Sequence, residues 1–273
     1  MQKPVIAMIY DFDKTLCTKD MQEYGFIPSL GMSADEFWDS VNDLTDGEQM
    51  DNILAYMYMM VKMAHEKNTP VSRDTFLNLG KGVEYFRGVE TWFDRITRFG
   101  DSVGVQVEHY IVSSGIKEII EGTSIARFFK KIYACEFMYR DGVIQWPKMA
   151  VNYTAKTQFM FRINKGVLDI DSKSATELNR YTPENERRVP FRNMIYIGDG
   201  PTDVPCMKLI KSYGGQAIAV YDPEKGESRA LPLLRDNRVN FIAPADYSEN
   251  TRLERVVETI IRKMAAENAM LNM

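Results

Sequence analysis

The chain has 273 residues, of which 45% are apolar and 26% charged, with a formal net charge of −4. This is an ordinary globular balance with enough apolar material for a sizeable core. The mild acidity excludes the basic field that nucleic acid or an anionic membrane would select, so no nucleic acid and no membrane partner is expected.

The first element is Val5–Tyr10, a short apolar run that stops at Asp11. It alternates poorly and is rich in β-branched residues, which predicts a strand buried on both faces, as in a parallel sheet. Residues 18–85 then read as helical. Phe37, Trp38, Val41 and Leu44 share one helix face, and Ile53, Leu54, Met57, Met60, Val61 and Ala64 share another. Ser72 opens a third helix. The aromatic and methionine stripe here (Trp38, Tyr56 to Met60, Met63) fits core packing better than a substrate entrance.

Strand–helix alternation resumes afterwards. Residues 88–99 read as a helix, and 105–112 as a strand ending in Ser113-Ser114-Gly115, followed by a helix with Ile116, Ile119 and Ile120. Residues 131–134 form a short strand, and 138–150, centred on Asp141-Gly142, a hairpin or flap. Thr154 caps a helix carrying Lys156 in its first turn. Residues 169–192 are polar and irregular. Asn193 to Ile197 is a strand ending in Gly198-Asp199-Gly200-Pro201-Thr202-Asp203, and a helix with Met207, Leu209 and Ile210 follows. The last strands are 216–220 and 239–242. Leu253, Val256, Val257, Ile260, Ile261 and Met264 mark the closing helix.

This order predicts an α/β fold with a doubly wound parallel sheet. Residues 1–17 and 86–273 form the core, and 18–85 an all-helical insertion after the first strand. Strand ends that precede helices open on one edge of such a sheet. Three polar clusters therefore share one rim: Asp11 to Thr15, Ser113 to Gly115, and Asp199 to Asp203.

Four carboxylates on one rim repel each other unless a cation joins them, and Mg²⁺ suits carboxylates that share it with substrate oxygens and water. Ser113, read as sitting at a helix N-terminus with the Ser114 and Gly115 N–H groups beside it, makes an anion site. With His65 and His109 the only histidines, an aspartate nucleophile fits, because it is ionised at neutral pH without an activating base. A second aspartate serves as general acid and then base.

These residues resemble the haloacid dehalogenase-like superfamily, in its phosphoserine-phosphatase-like group with a helical cap. Asp11-Phe12-Asp13-Lys14-Thr15-Leu16 matches the D-x-D-x-T signature, Ile111 to Gly115 the second motif, and Gly198 to Asp203 the G-D-G-x-x-D motif. The third motif is a single lysine, assigned to Lys156, with Lys165 and Lys173 as rivals. The resemblance implies a Rossmann-like core with the cap at 18–85 and a Mg²⁺-dependent phosphatase acting on a small-molecule phosphate ester. It gives Asp11 as nucleophile and Asp13 as acid/base. Asp11, the Asp13 carbonyl and Asp199 become the metal ligands. Ser113, Ser114 and Lys156 become the phosphate-binding groups, joined by the N–H groups of Phe12 and Asp13, with Asp203 in support.

Transport ATPases of this superfamily carry D-K-T after the strand, a spelling that Asp13-Lys14-Thr15 mimics. Here the strand ends at Asp11, so Asp13 lies at the +2 position, where phosphatases have aspartate. Dehalogenases lack that second aspartate. A catalytically idle phospholigand-binding protein and a receiver domain are the other readings; Asp13 disfavours the first and the helical insertion the second. Glu23, Arg73, Lys81 and Arg87 are the charges near the insertion that could meet a substrate's polar end. Cys17, Cys135 and Cys206, odd in number and widely spaced, predict neither disulfide nor zinc and suit a cytoplasmic protein. A charged motif as early as residue 11 leaves no room for a signal peptide, and no apolar run is long enough for a transmembrane helix.

Overall fold

A computed structural model describes residues 3–67 and 71–271. The chain opens with β1 (Val5–Tyr10), then helices α1 (Phe26–Ser29), α2 (Ala34–Glu48), α3 (Asn52–Glu66), α4 (Arg73–Leu79) and α5 (Val89–Ser102). Next come β2 (Gln106–Ile116), α6 (Lys117–Glu121), β3 (Phe129–Arg140), β4 (Val143–Met149), α7 (Ala155–Lys165) and α8 (Ser172–Asn179). The last third holds β5 (Met194–Gly198), α9 (Val204–Ser212), β6 (Gln216–Tyr221), α10 (Ala230–Arg235), β7 (Phe241–Pro244) and α11 (Arg252–Leu271).

The strands form one sheet in the order β4-β3-β2-β1-β5-β6-β7. Every neighbouring pair is parallel except β3 and β4. All six residues of β1 and all five of β5 are buried, as expected of central strands covered by helices on both faces. Because the chain reverses at β1, with β2 on one side and β5 on the other, their carboxyl ends meet at the switch point where such sheets hold ligands. The clusters after β1 and β5 are thereby neighbours.

The hairpin is longer than the sequence suggests. β3 runs for 12 residues and its distal half pairs with β4. Asp141 and Gly142 both take positive φ, 53° and 77°, the left-handed pair that a two-residue hairpin turn needs. The helix α10 was not foreseen; it is short and carries a proline, so its periodicity is weak.

The helices between β1 and α5 start where their caps dictate. Ser33 and Glu36 form a reciprocal capping box on α2. The Asp51 carboxylate accepts from Leu54 N–H on α3, and Ser72 accepts from Thr75 N–H on α4. The segment leaves and re-enters through a narrow neck. There Thr18 N–H donates to the Glu84 carbonyl and Phe86 N–H to the Leu16 carbonyl, each at 3.0 Å. No helix among the described residues is long and apolar enough to cross a membrane, and all three cysteines are free and buried.

Candidate active site

Asp11 follows the last residue of β1, and its backbone N–H is held by the Ile197 carbonyl of β5 at 2.9 Å. The chain then turns tightly. Thr15, Leu16 and Cys17 N–H groups all donate to the Phe12 carbonyl at 3.2, 2.9 and 3.3 Å. Lys14 takes a left-handed conformation, φ 55°, to allow the turn. Thr15 is fully buried, and its carbonyl accepts from the Tyr247 hydroxyl at 2.8 Å. Its role in the turn is structural, through the backbone.

Lys156 lies in the first turn of α7 and is fully buried. Its Nζ donates to Asp11 Oδ1 at 2.9 Å and to Asp203 Oδ1 at 2.7 Å. Asp203 is held in turn by the Tyr196 hydroxyl at 2.7 Å and by Gly200 N–H at 3.3 Å. Burial alone would lower the Lys156 ammonium, but Asp11 and Asp203 together raise it above its usual value. It is therefore a fixed positive charge in an apolar setting. Of the rival lysines, Lys165 donates to the Leu178 and Arg180 carbonyls, and Lys173 is exposed on α8; neither approaches the rim. Thr154 sits at the N-cap of α7, but its hydroxyl caps nothing; the Asn152 side chain does that work, accepting from Ala155 N–H at 3.1 Å.

Carboxylate oxygens of Asp11, Asp199 and Asp203 lie within 4.8 Å of one another. Burial, then the Asp203 charge, pushes the Asp11 carboxyl up to about 7, against the pull of Lys156. Burial and the charges of Asp203 and Asp11 also push Asp199 well above the usual carboxylate range. One lysine does not balance three crowded carboxylates, so the cluster has the composition and spacing that admit a hard divalent cation. Asp13 is outside this cluster. Its Oδ1 accepts from Met21 N–H at 2.9 Å, and burial, then Asp20 and Asp11, raises it well above its usual value.

The second motif differs from the sequence expectation. β2 continues through Ser113-Ser114-Gly115 to Ile116, and α6 starts only at Lys117. Ser113 is therefore a buried strand residue, not a helix N-terminus. The strand shifts register against β3 between Val112 and Ile116. Gly115 N–H is not free for an anion, because it donates to Ser113 Oγ at 2.9 Å. Gly115 has no room for a side chain: a Cβ would come within 2.7 Å of Asp13 Oδ2 and 2.1 Å of Met21 Cε. Gly198 is constrained the same way, with Asp203 Oδ2 at 2.4 Å from a Cβ. Two motif glycines are thus explained by the carboxylates they let approach.

A cleft of about 340 Å³ opens over these groups. Its floor holds Asp11, Asp13, Ser114 and Asp199, and its outer wall comes from the helical segment, through Gln22, Trp38, Asn52, Ile53 and Tyr56. Trp38 and Tyr56, read from sequence as core, therefore face the cleft while also packing together at 6.1 Å. Tyr56 hydroxyl donates to the Ser114 carbonyl at 2.6 Å, tying α3 to the rim. Glu23, Arg73, Lys81 and Arg87 do not line the cleft. Glu23 accepts from Trp38 Nε1 at 3.2 Å, Arg73 pairs with Glu121 at 2.5 Å, and Lys81 reaches Asn78 at 2.8 Å. Gln22, Asn52 and Arg229 were not singled out from sequence, since isolated polar residues carry no spacing signal.

With that geometry in place, the comparisons with known proteins are decisive for the family. Residues 8–208 match the model of the haloacid dehalogenase-like hydrolases. The chain belongs to that family. It is 29% identical to an uncharacterized protein of Borreliella burgdorferi, over 91% of this chain and 94% of that one. Its fold resembles a substrate-bound phosphoserine phosphatase (TM-score 0.58, 13% identity, 94% of this chain and 99% of that chain). It also resembles a haloacid dehalogenase-family hydrolase of Salmonella enterica serovar Typhi (TM-score 0.56, 17% identity, 88% and 67%). The mostly parallel α/β core is thus the family's fold, carried by a hydrolase with an acidic cluster at the switch point.

Proposed function

We propose that this hydrolase is a Mg²⁺-dependent phosphatase that transfers the phosphoryl group of a small phosphomonoester to Asp11 and then to water. The observation that carries the reading is Lys156, buried and shared at hydrogen-bond distance between Asp11 and Asp203. A structural lysine gains nothing from such a position, whereas phosphoryl transfer needs fixed positive charge around in-line oxygens.

Asp11, at the strand tip, attacks phosphorus as the ester oxygen leaves. Asp11, Asp199 and the Asp13 carbonyl would hold Mg²⁺, which would supply neutralising charge for the transferring group when bound. Asp203 stays with Lys156 and Tyr196 and orients the lysine. Asp13, whose carboxyl is raised well above its usual value by burial and then by the charges of Asp20 and Asp11, serves as the acid that donates a proton to the leaving oxygen. The resulting Asp13 carboxylate then takes a proton from the water that attacks the aspartyl phosphate. Ser113 and Ser114 hold the phosphoryl oxygens through hydroxyl and backbone donors.

The helical segment 18–85 acts as a cap whose inner wall meets the leaving group. The protein works in the cytoplasm, the compartment its unpaired cysteines suit. An idle phospholigand-binding protein would have no use for an acid/base group such as Asp13 beside the strand tip.

The test is Mg²⁺-dependent hydrolysis of p-nitrophenyl phosphate by the wild type and by Asp11→Asn. Loss of turnover in a folded Asp11→Asn variant is expected. Full activity in that variant overturns the reading.

A further inference from the structure

The helical segment reaches the active site through its first turn. A short 3₁₀ turn, Met21–Tyr24, follows Asp20, whose side chain makes no capping bond to it. The first N–H groups of a helical turn have no partner within it, and the Asp13 carboxyl takes one of them: Met21 N–H donates to Asp13 Oδ1 at 2.9 Å. The Cys17 thiol makes a longer contact to the same oxygen at 3.7 Å. Asp13 Oδ2 accepts no hydrogen bond from a described residue, and Asp13 is half-buried and lines the cleft. One oxygen is thus held and the other is left for chemistry.

The Met21 side chain fixes where that N–H lies. It is fully buried and does not line the cleft. Its Sδ accepts from Ile116 N–H at 3.0 Å, beyond the point where β2 stops pairing with β1. Against it lies Gly115: a Cβ there would come within 2.1 Å of Met21 Cε and 2.8 Å of Met21 Sδ, and within 2.7 Å of Asp13 Oδ2. The thioether and the carboxyl therefore share one glycine floor. A thioether is a weak acceptor, so the close packing on Gly115 adds to the hold. An alkyl side chain of similar size would fill the space but leave the buried Ile116 N–H without that acceptor.

We propose that Met21 is a positioning residue for the acid/base Asp13. Its thioether, lodged on Gly115 and Ile116, anchors the N–H that fixes Asp13 Oδ1, and this keeps Oδ2 turned to the ester oxygen that leaves. Protonation of that oxygen as its bond to phosphorus breaks then depends on a side chain that touches neither substrate nor metal. The inference rests on the phosphatase reading and deepens it.

The experiment measures kcat/KM, with Mg²⁺ present, for p-nitrophenyl phosphate, phenyl phosphate and glycerol 2-phosphate in the wild type, Met21→Leu and Met21→Ala. The three leaving groups are increasingly basic and need protonation increasingly, so a misplaced acid costs the alkyl ester most. In Met21→Ala, kcat/KM for glycerol 2-phosphate should fall about tenfold or more, and for p-nitrophenyl phosphate about threefold or less. Met21→Leu, close in volume, should show the same ordering with smaller losses, and it decides the matter if the alanine variant does not fold. In an Asp13→Asn background neither substitution should lower phenyl phosphate turnover further, because the group it positions no longer acts. Equal losses for all three esters, no loss in either variant, or a full additional loss on top of Asp13→Asn overturns the proposal while the phosphatase reading stands. No turnover of any ester by the wild type overturns both.

Discussion

Lys156 and Asp203 meet at 2.7 Å with neither side chain exposed to solvent. They come from different elements: the first turn of α7 and the loop that follows β5. The pair makes sense only with Asp11 as third member, because a lone buried ion pair contributes little net stability while removal of one partner is costly.

Asp203→Asn is therefore expected to impair both stability and turnover. It leaves Asp11 as the only carboxylate on Lys156 and replaces the oxygen that accepts from Gly200 N–H with an amide donor. Breaking a buried pair of this kind costs about 3–5 kcal/mol. Chemical denaturation should show a loss of that order, and kcat for p-nitrophenyl phosphate should fall about tenfold or more, since the lysine is no longer held in line.

Asp13→Asn should separate the two half-reactions. The variant keeps the Met21 contact to its side-chain oxygen but can neither donate nor accept a proton in the reaction. General acid–base catalysis contributes about 10²–10⁴-fold, so kcat should fall within that range. Esters with a good leaving group lose less in the first step. The second step, which needs a base for water, should become rate-limiting, and a pre-steady-state burst of p-nitrophenol should reveal it.

Tyr56→Phe tests the link between α3 and the rim. The hydroxyl bond to the Ser114 carbonyl, 2.6 Å, is worth about 1 kcal/mol as a neutral hydrogen bond. Removing it should raise KM a few-fold with the fold intact, measured on p-nitrophenyl phosphate. An effect confined to thermal stability would mean that the tyrosine only packs.

Stability should fall in acid in two separable stages, both set by neighbouring residues of β2. Burial lowers His109 to about 4, so its stabilising neutral form is present above the usual 6.5 and lost as pH falls towards 4. Glu108 is lowered to about 2 by Arg188, Lys130 and Tyr110, which outweigh the opposing effect of its burial. Its contribution is full above the usual 4.5 and lost as pH falls towards 2. Glu108→Gln should flatten the lower stage in denaturation midpoints measured across pH and leave the upper stage in place.

Much of this architecture was legible from the chain because the strong signals are local. The all-apolar run of β1, the capped helices α2 and α4, and the Asp141-Gly142 turn each follow from side-chain pattern or from φ preferences. The rim followed from topology, since strand ends in a parallel sheet must share an edge. What was hidden depended on tertiary detail. The register shift of β2 against β3 beside Ser113 is a property of the pairing, not of the strand's own sequence. The charges at Glu23, Arg73 and Lys81 looked available but are spent on Trp38, Glu121 and Asn78. Gln22 and Asn52 are isolated amides, and only the closing of the helical segment over β1 makes them a wall.

The central claim is that Asp11 becomes phosphorylated. The direct measurement is rapid acid quench of Asp13→Asn with a ³²P-labelled phosphomonoester, followed by peptide mapping of the label. The account predicts a hydroxylamine-sensitive acyl phosphate on the peptide containing Asp11, formed with burst kinetics and absent from the Asp11→Asn, Asp13→Asn double variant. Turnover without any labelled protein, or label retained in the double variant, would contradict it.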